Sequence, residues 1–206
     1  MTLPILTAKY QQIVLKKQFL KFYSNLQNAY YSVYADYGMP MECYSVNKGK
    51  NEADGSANVS QSQCPEFWNQ ILKRLKVINT CDGRDCVPAY KTDTEVIAAG
   101  GSKGNQACPQ IYRDAAFNAN GTAYTLSDGS FIYVNKTKLE YGIDINGKKG
   151  PNKWGYDVFY IRNLLHKNQI IISDGVCGGM WEKGGMRIKD YLLDNKEYDG
   201  DKSIWW

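Results

Sequence analysis

The sequence predicts an α+β fold in a single domain, residues 1–206: a long N-terminal helix laid on an antiparallel β-sheet of about four strands. Three observations carry that expectation. From Ile5 to Tyr37 there is no glycine or proline, and apolar residues recur at three- and four-residue steps, the period of one helix face. In the later half, Asp-Gly and Asn-Gly steps separate β-favouring runs, which is a hairpin signal. A chain of 206 residues can bury one substantial core, so helix and sheet are expected to share it.

Each element follows from local chemistry. The helix of residues 1–37 carries Tyr10, Ile13, Val14, Leu20, Tyr23, Leu26, Tyr30, Val33 and Tyr37 on its stripe. At about 1.5 Å per residue it is roughly 50 Å long, more than a compact domain of this size is wide, so part of it is expected to project. Gly38 and Pro40 end it, one as a C-terminal cap and one as a breaker. Residues 38–121 read as a loop, a second helix and a cysteine-bearing region. The run KGKNEADGSANVSQSQ is too polar to bury and reads as surface loop. Pro65 and Glu66 suit the first turn of the second helix, whose Trp68, Ile71, Leu72, Leu75 and Ile78 line one face and which stops near Thr80. Residues 122–175 form the sheet, with strands over 123–126, 131–135, 139–145, 158–162 and 169–172 broken at Asp128-Gly129, Asn146-Gly147 and Asp174-Gly175. Residues 176–206 form a C-terminal tail. No internal repeat is visible.

Composition narrows the function classes. The chain is 43% hydrophobic and 22% charged, which places it among folded globular proteins. Its net charge of +4 is scattered, and Lys16, Lys17, Lys21, Lys73, Arg74 and Lys76 fall on the solvated faces of helices, so nucleic acid is not an expected partner. Six cysteines, 43, 64, 81, 86, 108 and 177, accompany a single histidine, His166, a balance that argues against zinc. Read as disulfides, they imply an extracytoplasmic compartment; buried reduced thiols are the alternative. Cys81 and Cys86 close a short turn on Asp82-Gly83, and a Cys43–Cys64 bridge would close the polar loop. Sequence leaves the remaining pairing, including Cys108 and Cys177, open. There is no apolar run long enough to span a bilayer and no signal peptide.

No catalytic signature stands out. A sole histidine in RNLLHKNQ limits acid-base and nucleophilic schemes, and neither a nucleophile elbow nor a phosphate loop is present. Asp82 with Asp85, and Asp199 with Asp201, are carboxylates in polar turns and read as solvated. The stretch DINGKKGPNKWGYDVF is the exception to a bland surface. Asp144, Asn146, Asn152 and Asp157 are hard oxygen donors of the kind calcium prefers, although Lys148 and Gly155 stand where an EF-hand would place ligands. The alternative is structural: Asn146-Gly147 and Gly150-Pro151 make two bends while the Asn and Asp side chains cap loop amides. The structural reading is preferred, no cofactor is required, and calcium stays a candidate.

Two stretches together resemble the type IV pilin-like and type II secretion pseudopilin-like proteins. DINGKKGPNKWGYDVF is similar to a motif, D-x-N-G-x-x-G-P-N-x-x-G-x-D-x-F, of their C-terminal sheet. TLPILTAKYQQIVLKKQFLKFYSNLQNAYY is similar to the solvent-side half of their first helix, beyond its membrane-spanning half. The likeness covers residues 2–37 and 122–175. It implies a pilin-like fold, a precursor whose apolar half-helix precedes Thr2 and is trimmed by a prepilin peptidase, and anchorage in the inner membrane before export. It also implies a periplasmic or extracellular filament, with this chain and other pilin-like subunits as partners. The expected function is a non-enzymatic structural subunit of a pilus or pseudopilus. A minor tip subunit binding a surface ligand is the runner-up, and a small secreted hydrolase the outsider.

Overall fold

The computed structural model describes residues 3–46, 58–103, 121–174 and 179–193. A helix, α1 (Leu3–Tyr37), leads into short strands β1 (Tyr44–Val46) and β2 (Asn58–Ser60). Helix α2 (Cys64–Arg74) and strand β3 (Val77–Asp82) come next, then a 3-10 turn at Arg84–Cys86 and a short helix α3 (Asp93–Ala98). Strand β4 (Ser102–Lys103) precedes the main run β5 (Thr122–Leu126), β6 (Phe131–Val134), β7 (Glu140–Asp144), β8 (Val158–His166) and β9 (Gln169–Asp174). The described chain closes with β10 (Met180–Trp181) and α4 (Ile188–Leu193).

The predicted fold class is overturned. Instead of a four-stranded antiparallel sheet under one helix, the structure has an eight-stranded mixed sheet in the order β2-β1-β8-β7-β6-β5-β3, with β9 paired to β8. Neighbours from β3 to β9 pair antiparallel, but β1 runs parallel to β8, Ser45 opposite Leu164 and Val46 opposite Leu165. A separate two-stranded ribbon joins β4 to β10. The main-sheet strands outside the 122–175 region, β1, β2 and β3, come from residues 38–121, where no strand pattern is readable: β1 and β2 are three residues each, and β3 is exposed along most of its length. The second helix stops at Arg74 rather than near Thr80. Val77-Ile78-Asn79-Thr80 is a β-favouring run that pairs with β5, leaving Ile78 67% exposed instead of on a helix face.

The sheet is covered on both faces. Alternation along β6 and β8 sends Ile132, Val134, Phe159 and Ile161 into the main core, which they share with Phe19, Leu26 and Val33 of α1 and Phe67, Trp68 and Ile71 of α2. The intervening Tyr133, Val158 and Tyr160 face a smaller core with Tyr90, Val96, Trp154 and Met180. Leu15 is the first of the described side chains of α1 to enter the main core. Before it, Tyr10 and Ile13 are exposed, 68% and 55% accessible.

Candidate functional site

The loop from Asp144 to Asp157 joins β7 to β8 and sits at the seam between the two cores. Asp144, the last residue of β7, is fully buried and folds its carboxylate back on its own turn: Oδ1 accepts the amides of Asn146 at 3.2 Å and Gly147 at 2.8 Å. Gly147 starts a single 3-10 turn at φ 62, and any Cβ there would lie 2.2 Å from the carbonyl oxygen of Gly129. That close approach is why the Asn-Gly step cannot be replaced by a bulkier pair. Asn146 Nδ2 donates to the Gly150 carbonyl at 2.6 Å, carrying the chain to the cis Gly150-Pro151 bond and to Asn152 at φ 54. Asp157, also fully buried, closes the far side, with the amides of Asn152 at 2.8 Å and Lys153 at 2.7 Å donating to its two oxygens.

Two tethers hold this loop to the 84–98 segment. The Tyr90 hydroxyl donates to Asp144 Oδ2 at 2.9 Å, and the Trp154 indole donates to the Lys91 carbonyl at 2.8 Å. Lys91 is in turn ion-paired with Glu182, a buried acid just past β10. These partners lie far apart in the chain and in a region with no periodic pattern, so no local signal points to them.

The electrostatics are set by burial. Loss of solvent, and then the neighbouring charge of Asp157, push the Asp144 carboxyl up to about 7, while the Tyr90 hydroxyl and the Asn146 and Gly147 amides pull against that rise. Burial likewise raises Asp157, opposed by the amides of Lys153 and Asn152. Tyr90 is pushed upward by burial and by the Asp144 carboxylate.

The structure therefore brings Asp144, Asn146, Asn152 and Asp157 into one loop, and it uses their oxygens mainly on that loop's own amides. Of the four candidates, Asn146 Oδ1 is buried without a partner among the described residues. The Asn152 amide fits best with its nitrogen toward the Gly147 carbonyl, 3.0 Å, and Asp144 Oδ2, 3.3 Å. Calcium takes six to eight oxygens, and here the carboxylates already receive N–H and O–H donors. No group of three or more His, Cys, Asp or Glu placed to hold a metal occurs among the described residues. The donor set fits a self-capped loop better than a calcium cage.

The remaining candidates separate. Cys43 and Cys64 are bridged with Cα atoms 4.6 Å apart and fully buried, tying the entry to β1 to the start of α2. Cys81 and Cys86 are bridged across the turn after β3. Cys108 and Cys177 lie outside the described residues, as do Asp199 and Asp201. Asp82 accepts the Thr122 hydroxyl at 2.6 Å, cross-linking β3 to β5. His166 ends β8, opposite Gln169 in the turn to β9. Sequence reasoning also missed a polar network inside the main core. The Tyr30 hydroxyl donates to Asn163 Oδ1 at 2.6 Å and meets the Tyr141 hydroxyl at 2.8 Å, and Asn163 Nδ2 donates to the Cys43 carbonyl at 2.9 Å. It pins α1 to β7, β8 and the first disulfide. Burial raises both tyrosines.

Among helices of the described residues, none is long and apolar enough to cross a membrane. The chain matches no protein-family profile, no curated protein and no solved structure.

Proposed function

We propose that this chain is a non-enzymatic structural subunit of a type IV pilus or type II secretion pseudopilus, acting outside the cytoplasm by assembling with copies of itself and with similar subunits. One observation supports this reading more than any other. In helix α1, Tyr10 and Ile13 face solvent, 68% and 55% accessible, in the turns just before Leu15, the first of its described side chains to enter the core. Helical turns without tertiary packing are weakly held, because most helical stability in proteins comes from such packing. The apolar side chains exposed there are suited to burial against another subunit.

The two described disulfides and the tethered 144–157 loop make a stiff head, which suits a scaffold. The experiment is immunogold labelling of filaments sheared from the producing cells, with the encoding gene deleted as control. Label spaced along the filament is expected, and filament loss on deletion should accompany it. Label at one end only would make the chain a tip subunit. Filaments that form normally and carry no label would overturn the assignment.

A further inference from the structure

The two described disulfides differ in what a thiol from solvent can reach. Cys43 and Cys64 are fully buried in the main core, whereas Cys81 is exposed and Cys86 half-buried. Exchange begins when a thiolate meets one of the bridged sulfurs, so access decides which bridge reacts. Cys81 lies in β3, the strand at one edge of the main sheet. Cys86 ends the 3-10 turn and, with Val87, packs at the margin of the smaller core.

This bridge fastens the start of a longer clip. Residues 87–89 form no helix or strand. Beyond them the Tyr90 hydroxyl holds Asp144, the Lys91 carbonyl receives the Trp154 indole, and Lys91 pairs with Glu182. A capping box of Thr92 and Glu95 then opens α3, which sets Val96 fully buried in the same small core. The turn before the clip gives little hold of its own: the Cys86 amide lies 3.5 Å from the Gly83 carbonyl oxygen, at the outer limit of a hydrogen bond. The disulfide therefore sets the direction in which the chain leaves β3 and enters the clip.

We propose that Cys81–Cys86 is a redox-sensitive latch on residues 86–98: an external dithiol opens it while Cys43–Cys64 stays closed, and opening loosens the cover of the smaller core. In the first exchange a thiolate of the dithiol attacks the exposed Cys81 sulfur, forms a mixed disulfide and expels Cys86 as a thiolate. The second thiolate of the dithiol attacks its partner sulfur in that mixed disulfide, closes as an internal disulfide and expels Cys81. Each leaving thiolate takes up the proton that an attacking thiol gave up, so two electrons pass from the dithiol to the protein. With the bridge open, Tyr90 and Lys91 hold the 144–157 loop from a segment no longer fixed at its start, and the loop loosens with it. The side chains that α1 and α2 bury lie in the main core, on the opposite face of the sheet, and keep their packing.

The test titrates the oxidised full chain with dithiothreitol at about pH 8 without denaturant, where thiolates are abundant. Alkylation with peptide mapping reads each cysteine, and hydrogen exchange reads the backbone. Cys81 and Cys86 should become labelled at concentrations that leave Cys43 and Cys64 unlabelled. In step with that labelling, amides of 87–98 and 144–157 should exchange at least about tenfold faster, while α2 and α1 beyond Leu15 stay unchanged. The double variant Cys81→Ser, Cys86→Ser should show the faster exchange with no reductant present. The latch is overturned if Cys43–Cys64 opens as readily, if Cys81–Cys86 stays closed, or if exchange at 87–98 is unmoved or follows the labelling of Cys108 or Cys177. A folded variant that exchanges like the oxidised wild type overturns it too, and where the variant does not fold the wild-type titration decides alone.

Discussion

Asp144 shows how one side chain can specify a loop and burden it. Its carboxylate caps two amides and takes the Tyr90 hydroxyl, yet it is buried near a second buried carboxylate, Asp157, with no basic side chain among its described hydrogen-bond partners. Folding raises its pKa from the ordinary 3.8 to about 7. As pH climbs through that interval the unfolded chain releases a proton that the folded chain retains, so stability falls, and above it no further change comes from this group. Asp157 is shifted in the same direction and adds to the slope. The variant Asp144→Asn keeps an oxygen acceptor and removes the charge. Urea unfolding from roughly pH 4 to pH 8 should show a decline of a few kcal/mol in the wild type and a flatter profile in the variant. Parallel profiles would show that Asp144 is not the source. The same residue decides the calcium question. Because the oxygens already accept N–H donors, millimolar calcium should move the melting temperature by less than about 2 °C. A shift of many degrees, reversed by a chelator and lost in Asp144→Ala, would make the loop a metal site.

At the scale of elements, α1 changes character along its length. From Leu15 onward one side of it is part of the core: Phe19 is fully buried, with its ring 4.9 Å from that of Phe159 and 5.0 Å from that of Tyr191. Truncation there leaves a cavity between α1, β8 and α4. Phe19→Ala should cost about 3–5 kcal/mol in denaturant unfolding. Ile13→Ala, on an exposed turn, should change stability by no more than about 0.5 kcal/mol. Equal costs would mean that this turn packs on the head after all. The disulfides divide in the same way. Cys43–Cys64 lies under the main core and joins residues 21 positions apart, whereas Cys81–Cys86 joins residues 5 apart at the exposed edge of β3. In the chain-entropy account the longer loop contributes more, about 3 kcal/mol against about 2.

At the scale of the whole molecule, the sheet is a partition between two cores of unequal size, and the 144–157 loop is where they meet. Trp154 reaches into the smaller core, while Asp144 and Asp157 anchor the ends of the loop at the strands that border both. Gly155 is required by this packing: at φ 76 its Cβ would lie 2.5 Å from Trp181 Cβ and 2.9 Å from the Met186 carbonyl oxygen. The parallel β1–β8 pairing completes the sheet by bringing the residues after α1 back to the chain's longest described strand.

Much of the local structure was legible, because its causes are local. The three- and four-residue spacing of Tyr23, Leu26, Tyr30 and Val33 dictates a helix whatever surrounds it, and Asp128-Gly129 and Asn146-Gly147 dictate bends because glycine there takes a positive φ, 88 and 62. The candidate loop was legible for the same reason: its donors and turn residues are contiguous. Tertiary structure alone decided the rest. Strands β1, β2 and β3 are too short or too exposed to alternate, and they become strands only because a neighbouring edge offers unpaired backbone groups. In the same way, Tyr90 finds Asp144 across 54 residues, and Tyr30 finds Asn163 across 133. Periodicity and turn chemistry act through neighbours in sequence, so they can be read from the chain. Edge pairing and buried hydrogen bonds act through neighbours in space, and those exist only once the chain has folded.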